Sequence, residues 1–366
     1  MLALVRKRIF MLSYFHEAPS SSFPIWEIDI PDIPSRSCLY SLAPLGLGSP
    51  FVESLTSYIC RLAYEHHIHT GTMLQHIVAP LISKHYIAGD QSRNISSFLR
   101  YATPINGNGV MASDWVNILA LLTARNDLSQ LTMLAVANAV SHRNLFQPTR
   151  QWCPICYSEW QRQNAPIYEP LFWSISGVNI CLEHHRLLEK RCPHCLSHLP
   201  WLAWRSRPGY CSGCGRWLGN IGNANQIEEK DIYIAEMTGN FLAYISSASI
   251  SVSRDVFVKS LSELISITTE GNIAAFARCL ELPKVTLWEL VQGRFPPSLP
   301  FLFRLCLQFR LSLLQLLVGL DDTLPDSYSP KKSVIKEDLR RFFDRAKVRQ
   351  ALEEILSDQQ HEPVSM

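Results

Sequence analysis

Eight side chains with soft-metal donor atoms fall between Cys153 and Cys214. They form four pairs, each enclosing two residues: Cys153-Pro-Ile-Cys156, Cys181-Leu-Glu-His184, Cys192-Pro-His-Cys195 and Cys211-Ser-Gly-Cys214. A pair spaced this way can turn both donors toward one ion, and a second pair closes the tetrahedral shell that zinc takes. Sequential pairing predicts one site from Cys153, Cys156, Cys181 and His184, and a second from Cys192, Cys195, Cys211 and Cys214. His185 competes with His184 for the first site, and the two-residue spacer selects His184. Pro154 and Pro193 fix φ early in two of the turns, and Gly215 follows Cys214 where a knuckle needs positive φ.

Two structural Zn2+ ions follow from this pattern. A catalytic zinc keeps three protein ligands and an open position for water, whereas both shells here fill with four. A zinc deaminase needs H-x-E ahead of its P-C-x-x-C, and no H-x-E precedes these cysteines. A redox C-x-x-C belongs in a βαβ context that is lacking here. A zinc hydrolase or nuclease is therefore the weakest of the functional readings, and the chain is expected not to be an enzyme.

The elements that must position these donors are read from the rest of the chain. Its 366 residues predict two or three domains, and an apolar fraction of 47% predicts a folded protein. The formal net charge is only +2, so any nucleic-acid surface must be a local patch. Seven of the eleven cysteines belong to the donor pattern. The other four, Cys38, Cys60, Cys279 and Cys306, sit in apolar contexts and read as buried free thiols of a reducing, cytoplasmic compartment. The amino terminus places its charges after a short apolar run, the reverse of a secretory signal, and no apolar run is long enough for a membrane span.

Around the donors the charge turns basic. Arg150, Arg162, Arg186, Lys190, Arg191, Arg205, Arg207 and Arg216 face only Glu159, Glu169, Glu183 and Glu189, with Trp152, Trp160, Trp201, Trp204 and Trp217 interleaved. Such a mixture suits phosphate contact and base stacking, and Arg205 and Arg207 are candidate nucleic-acid ligands. The same composition suits a small domain that uses tryptophans as its core and arginines as solvated cover, and both readings stay open.

The whole reads as a mainly α protein. Residues 1–47, rich in Pro and Ser, form an arm. Residues 48–149 form a helical, helix-turn-helix-like domain. Its first helix starts with Ser49 as N-cap and Pro50 at N1 and buries Leu55, Tyr58, Ile59, Leu62 and Ala63. A second short helix starts at Thr70. Further helices are capped by Asp114 and Ser129. His66, His67, His69 and His76 cluster without a cysteine or acidic companion and read as ordinary surface or core histidines. The double zinc-finger module occupies 150–220, and a carboxy-terminal helical domain 221–320. Residues 321–366 hold a linker and an amphipathic helix over Val334–Leu356, whose interleaved charges read as a solvated face.

Within 221–320, the segment from Ile273 to Leu317 resembles the helix-turn-helix domain of Cro/Xre repressors. The matching residues are Ala277 in one helix, Leu282 at the turn, Leu287 and Trp288 in the next helix, Gly293 at its end and Pro297-Ser298 before the third. The resemblance lays the second helix in a major groove. It points Lys284, Val285, Thr286 and Glu289 outward and sets Gln292 and Arg294 near phosphates. Glu281 stands where the pattern has glycine, so the turn must tolerate a side chain there.

The order of motifs upstream resembles the TniQ/TnsD family. Those motifs are Glu53-Ser-Leu-Thr-Ser-Tyr-Ile-Cys-Arg-Leu-Ala63, Arg150-Gln-Trp-Cys-Pro-Ile-Cys156, Tyr168-Glu-Pro-Leu-Phe-Trp173, Cys181-Leu-Glu-His184 and Leu188-Glu-Lys-Arg-Cys192-Pro-His-Cys195. The resemblance covers about residues 48–220, and the carboxy-terminal extension brings the chain nearer to TnsD than to minimal TniQ forms. It implies a prokaryotic target-site selector of a transposon, nucleoid-associated when bound. Its implied partners are double-stranded target DNA and a AAA+ ATPase regulator that in turn recruits the transposase. It also admits a CRISPR effector complex with its guide RNA, in which case the chain is an adaptor that touches DNA little, and self-association as a dimer.

Overall fold

Residues 52–54 set where the first helix begins. The computed structural model describes residues 36–82, 95–99, 102–219, 227–247 and 251–319. In it, Val52–Ser54 are held extended: Leu171 N–H donates to Val52 O at 2.7 Å, Ser54 N–H donates to Glu169 O at 2.9 Å, and Glu53 bridges Pro170. The chain can coil only after this tether, so α1 (Leu55–Glu65) starts later than the expected Ser49–Pro50. Ser54 is its N-cap and accepts from Ser57 N–H. Ser49 instead closes a turn, donating its hydroxyl to Gly46 O at 2.7 Å. The expected buried face of Leu55, Tyr58, Ile59, Leu62 and Ala63 is present.

After a turn at His66–His69 comes α2 (Thr70–Met73), continued by a π turn over Leu74–Val78 and a 3-10 turn over Ala79–Leu81. The short α3 (Ser96–Leu99) and then α4 (Val110–Thr123) follow. Asp114 does not cap α4, which begins after the extended Gly109 and ends on Ala124 at φ 53°. The helix expected from Ser129 is replaced by two 3-10 turns, Leu128–Leu131 and Leu134–Val136. Here Thr132 donates its hydroxyl to Ser129 O at 2.7 Å, and Met133 N–H leaves the local ladder for Asn106 O at 2.9 Å. Local side-chain bonding of this kind competes with helix.

The donor-rich segment contributes α5 (Pro154–Arg162), with Pro154 at N1, and an antiparallel pair, β1 (Ile180–Cys181) and β2 (Arg186–Leu187), in register Ile180 to Leu187. Beyond it lie α6 (Glu229–Ser247), α7 (Arg254–Thr269), α8 (Ile273–Cys279), α9 (Lys284–Val291), α10 (Leu299–Phe309) and α11 (Leu313–Val318). The 19-residue α6 buries Phe241, Leu242 and Ile245. Arg310 at φ 54° breaks the apolar run after Leu299, and a capping box between Ser312 and Gln315 restarts it as α11. The helix expected over Val334–Leu356, and residues 1–35 of the arm, lie outside the described residues.

The described residues from Ser37 onward form one compact unit. Its parts are joined at specific points. Gly71 N–H donates to Trp204 O at 2.9 Å, and Thr70 Oγ1 donates to Ser206 O at 2.8 Å. A Cβ at Gly71 would sit 2.3 Å from the Trp204 ring, so α2 can dock on the 203–206 loop only with glycine there. Ser141 N–H donates to Pro297 O at 2.8 Å, and Arg254 Nε donates to Asn138 O at 3.0 Å.

The tightest joint is electrostatic. Arg150 and Glu169, both buried, pair at 2.5 Å. Arg150 also donates to Tyr157 Oη at 3.1 Å and to Tyr210 O at 3.1 Å. Next to it, the fully buried Glu53 takes a two-point bond from Arg61, Nη2 to Oε2 at 2.8 Å and Nε to Oε1 at 3.0 Å, and one from Ser57 Oγ at 3.0 Å. Burial pushes both carboxyl groups up in pKa, while Arg61 and Arg150 pull them back down.

The four cysteines outside the donor pattern divide. Cys60 and Cys306 are buried as expected, and burial pushes each thiol up to about 12. Cys38 and Cys279 are exposed, contrary to the expectation of four buried thiols: Cys38 lies in irregular chain ahead of α1, and Cys279 is on the outer side of α8's last turn.

Removing one partner of a buried ion pair strands the other. Arg150→Ala is expected to cost about 3–5 kcal/mol of stability. Thermal unfolding of the full chain checks this, with the Arg150→Met, Glu169→Gln double variant expected to recover much of the loss.

Candidate metal centres and nucleic-acid interface

The first donor set is assembled by three local structures. Cys153 is the N-cap of α5 and Cys156 lies in its first turn, because Pro154 starts the helix between them. Cys181 ends β1, and the turn before β2 brings His184 round. His185 takes the left-handed backbone at φ 43° and is exposed, so His184 is the residue aimed at the cysteines. Its Nδ1 lies 3.5, 3.3 and 3.6 Å from the sulfurs of Cys153, Cys156 and Cys181, and the Cys156 and Cys181 sulfurs are 3.6 Å apart. In the second set, Cys192 and Cys214 sulfurs are 3.7 Å apart, as are Cys195 and Cys211. Each set of four ligand atoms lies within 4.8 Å of one another, and these are the two groups of metal-ligand type among the described residues.

These spacings fit a metal ion. Zinc bonds of about 2.3 Å to sulfur and about 2.0 Å to nitrogen in a tetrahedron set sulfur–sulfur edges of about 3.8 Å and sulfur–nitrogen edges of about 3.5 Å. Ionised together, thiolates this close would need a cation to offset their charge. The pairing is the sequential one. The two sets differ in cover: Cys153, Cys156 and Cys181 are buried, whereas Cys195 and Cys214 are exposed. The first set also has an orienting partner that spacing does not reveal. His184 Nε2 lies 3.0 Å from Glu159 Oε2, which fixes the ring with Nδ1 toward the cysteines. Glu159 sits one helical turn beyond Cys156 on α5, and that i,i+3 relation is the sequence signal for it.

The basic and aromatic residues around the donors divide as well. Arg150, Arg186, Trp152 and Trp201 are buried. Trp152 Nε1 donates to Leu218 O at 3.2 Å and Trp201 Nε1 to Gln147 O at 3.0 Å, so each indole is a core group with its polar edge satisfied. Trp160 stacks on Tyr168 at 4.6 Å, and Trp217 packs edge-on against Tyr210 at 5.1 Å. The tryptophans named for base stacking therefore form or pack on the module's core. Arg205 and Arg207 do reach solvent. Arg207 lies between two phenol rings, 4.3 Å over Tyr64 and 4.1 Å over Tyr210, and donates to Tyr64 Oη at 3.1 Å.

At the carboxy-terminal helices, α8 and α9 are joined by a turn in which Glu281 takes φ 51°, so the turn holds a side chain in the left-handed backbone where the resembled pattern has glycine. Lys284 and Val285 are exposed, Thr286 and Glu289 half-buried, and Gln292 and Arg294 exposed. Arg294 lies 4.5 Å over the Trp288 ring and 3.9 Å from Glu289. The histidines before α2 form no metal set. His66 accepts from Tyr40 N–H at 3.0 Å and stacks on that ring at 4.0 Å.

The TniQ family model matches residues 44–188 of the chain. At the level of the family this points to a transposition-associated target-site selector. The match takes in α1, the buried charge joint and the whole first donor set, and ends before Cys192. No curated protein matches the chain. Among the described residues no helix is long and apolar enough to cross a membrane.

Two zinc ions per chain are expected by elemental analysis of the purified protein. Glu159→Gln is expected to weaken metal binding at the first set by about 10–100-fold, measured by competition with a chromogenic chelator, with the second set unaffected.

Proposed function

We propose that the chain is a transposon target-site selector. It is a DNA-binding adaptor, built on two structural zinc ions, that marks the insertion site and recruits a AAA+ regulator of transposition. The observation that carries this reading is the TniQ match over 44–188, which coincides with the cysteine–histidine set and the joint that fixes it to α1. Both donor sets comprise four protein ligands, which suits a scaffold. On this reading the chemistry of strand transfer belongs to the recruited partners. The extension of α6–α11, with its Cro/Xre-like turn, makes the chain TnsD-like and supplies a second DNA-facing element. In it Lys284, Thr286, Glu289, Gln292 and Arg294 meet the duplex.

One observation favours the second reading, an adaptor that bridges a CRISPR RNA-guided effector to the transposition machinery. The outer face of α9 exposes Val285 by 67% and Trp288 by 38%, and Phe295 just beyond it by 38%. Apolar and aromatic groups of this kind suit a protein surface, while base reading draws on Arg, Asn and Gln.

Purified full-length protein is expected to bind duplex DNA with an affinity that falls steeply with salt, in the absence of any guide RNA. Lys284→Ala combined with Arg294→Ala is expected to weaken that binding several-fold. Unchanged affinity in the double variant would remove α9 from the DNA contact. Failure of the isolated protein to bind any duplex, with capture by an RNA-guided complex, would replace the first reading by the second.

A further inference from the structure

The turn between α1 and α2 and the loop before Cys211 enclose a cavity of about 560 Å³, lined by Tyr64, His67, Ile68, His69, Thr72, Arg205, Ser206 and Arg207. A second cavity of about 400 Å³ adjoins it and shares Tyr64 and Arg207. The Tyr64–Arg207 contact is common to the walls of both, so the two read as one groove, with Glu65 and Arg61 on its smaller side. No carboxylate lines the larger cavity, whereas it holds two arginines and two exposed histidines. The α9 face is different in kind: its Lys284 and Arg294 are accompanied by Glu281 and Glu289, and Arg294 already lies against Glu289.

Arg207 is held ready. Its guanidinium faces are covered by Tyr64 and Tyr210, at 4.3 and 4.1 Å, and one N–H is spent on Tyr64 Oη. The remaining N–H groups of the fork are left for an acceptor in the groove. A guanidinium fixed in this way loses little freedom when it binds an anion, and its fork matches two phosphate oxygens. The loop that carries it is itself fixed, because Thr70 Oγ1 donates to Ser206 O at 2.8 Å and Ser206 Oγ accepts from Ala203 N–H at 2.7 Å.

We infer that this groove is a phosphate-backbone site for duplex DNA, with Arg205 and Arg207 as the contacting cations. The inference rests on the DNA-binding reading above and names where the sequence-independent part of that binding occurs. Duplex is favoured over single strand because Arg207 already engages the groove's rings, although Tyr64 keeps 47% of its surface exposed. Tyr64 and Tyr210 cover Arg207, and Trp217 packs on Tyr210. A single-strand site offers open aromatic platforms to unstacked bases; this groove offers cations and hydroxyls, which track a backbone and leave the bases paired.

The test uses the full-length, metal-loaded protein and mixed-sequence duplexes, read by fluorescence anisotropy over a range of salt. Arg205→Ala, at an exposed position, is expected to weaken binding alike on every duplex and to flatten the slope of log affinity against log salt by about 1. Arg205→Ala with Arg207→Ala is expected to flatten it by about 2 and to cost about ten-fold or more in affinity. Arg207→Lys keeps the charge and loses the fork, and is expected to weaken binding with the slope retained. Wild-type affinity and slope in all three variants would overturn the groove while leaving the DNA-binding reading in place. A loss confined to one sequence, or tighter wild-type binding to single strands than to duplex, would overturn the backbone assignment. Failure of the wild type to bind any nucleic acid would overturn both readings.

Discussion

Four donor atoms must meet at one point, twice, and much of the architecture follows from that requirement. Cys153 and Cys156 can converge only if the helix starts between them, and Pro154 makes it start there. Cys181 and His184 converge only across the turn between β1 and β2. Little regular structure holds this segment together: one nine-residue helix, a 3-10 turn at Leu171–Ser174 and two two-residue strands. Coordination that releases on the order of 10 kcal/mol per site is comparable with the whole stability of an ordinary domain.

What the clusters hold in place extends beyond their own segment. Trp152, Tyr157 and Trp173 lie between the donors and the joint to α1 and are fully buried. Arg150 and Glu169 pair in that joint, and Glu169 O accepts from Ser54 N–H and Ser54 Oγ at the start of α1. The chain therefore runs without a break from metal ligands through an aromatic core to a buried ion pair and a helix N-cap. Ion pairs this dry specify one arrangement more than they stabilise it, because desolvation offsets much of their attraction. In this chain Arg150 also donates to Tyr210 O beyond the 203–207 loop, and Thr70 and Gly71 bond that loop directly.

The donor sets and the family resemblance were legible in the sequence because both are matters of short spacing. The pairing, the choice of His184 over His185, and the glycine-like backbone at Glu281 all follow from local turns. The burial of Arg150 and Glu169 was not legible. Nothing in their neighbours separates them from the exposed Arg205 and Arg207, and only the tertiary fold decides which charges pair inside. The tryptophans carried the same ambiguity, since a stacking platform and a small core call for the same residues. The late start of α1 was missed because Ser49-Pro50 is a sound helix start by local rules; the strand-like tether of 52–54 to Glu169–Leu171 overrides it from more than a hundred residues away. The breakdown of 129–140 into 3-10 turns has a similar origin in bonds to Asn106 and Val252.

With zinc bound, the two clusters would organise the helical segment as well as their own. Hydrogen exchange of the full chain, before and after metal removal by a chelator, tests it most directly. Protection is expected to be lost together over 150–218, at the start of α1 and in α2, while α7–α11 keep theirs. Full protection of α1 and α2 in metal-free protein would contradict it.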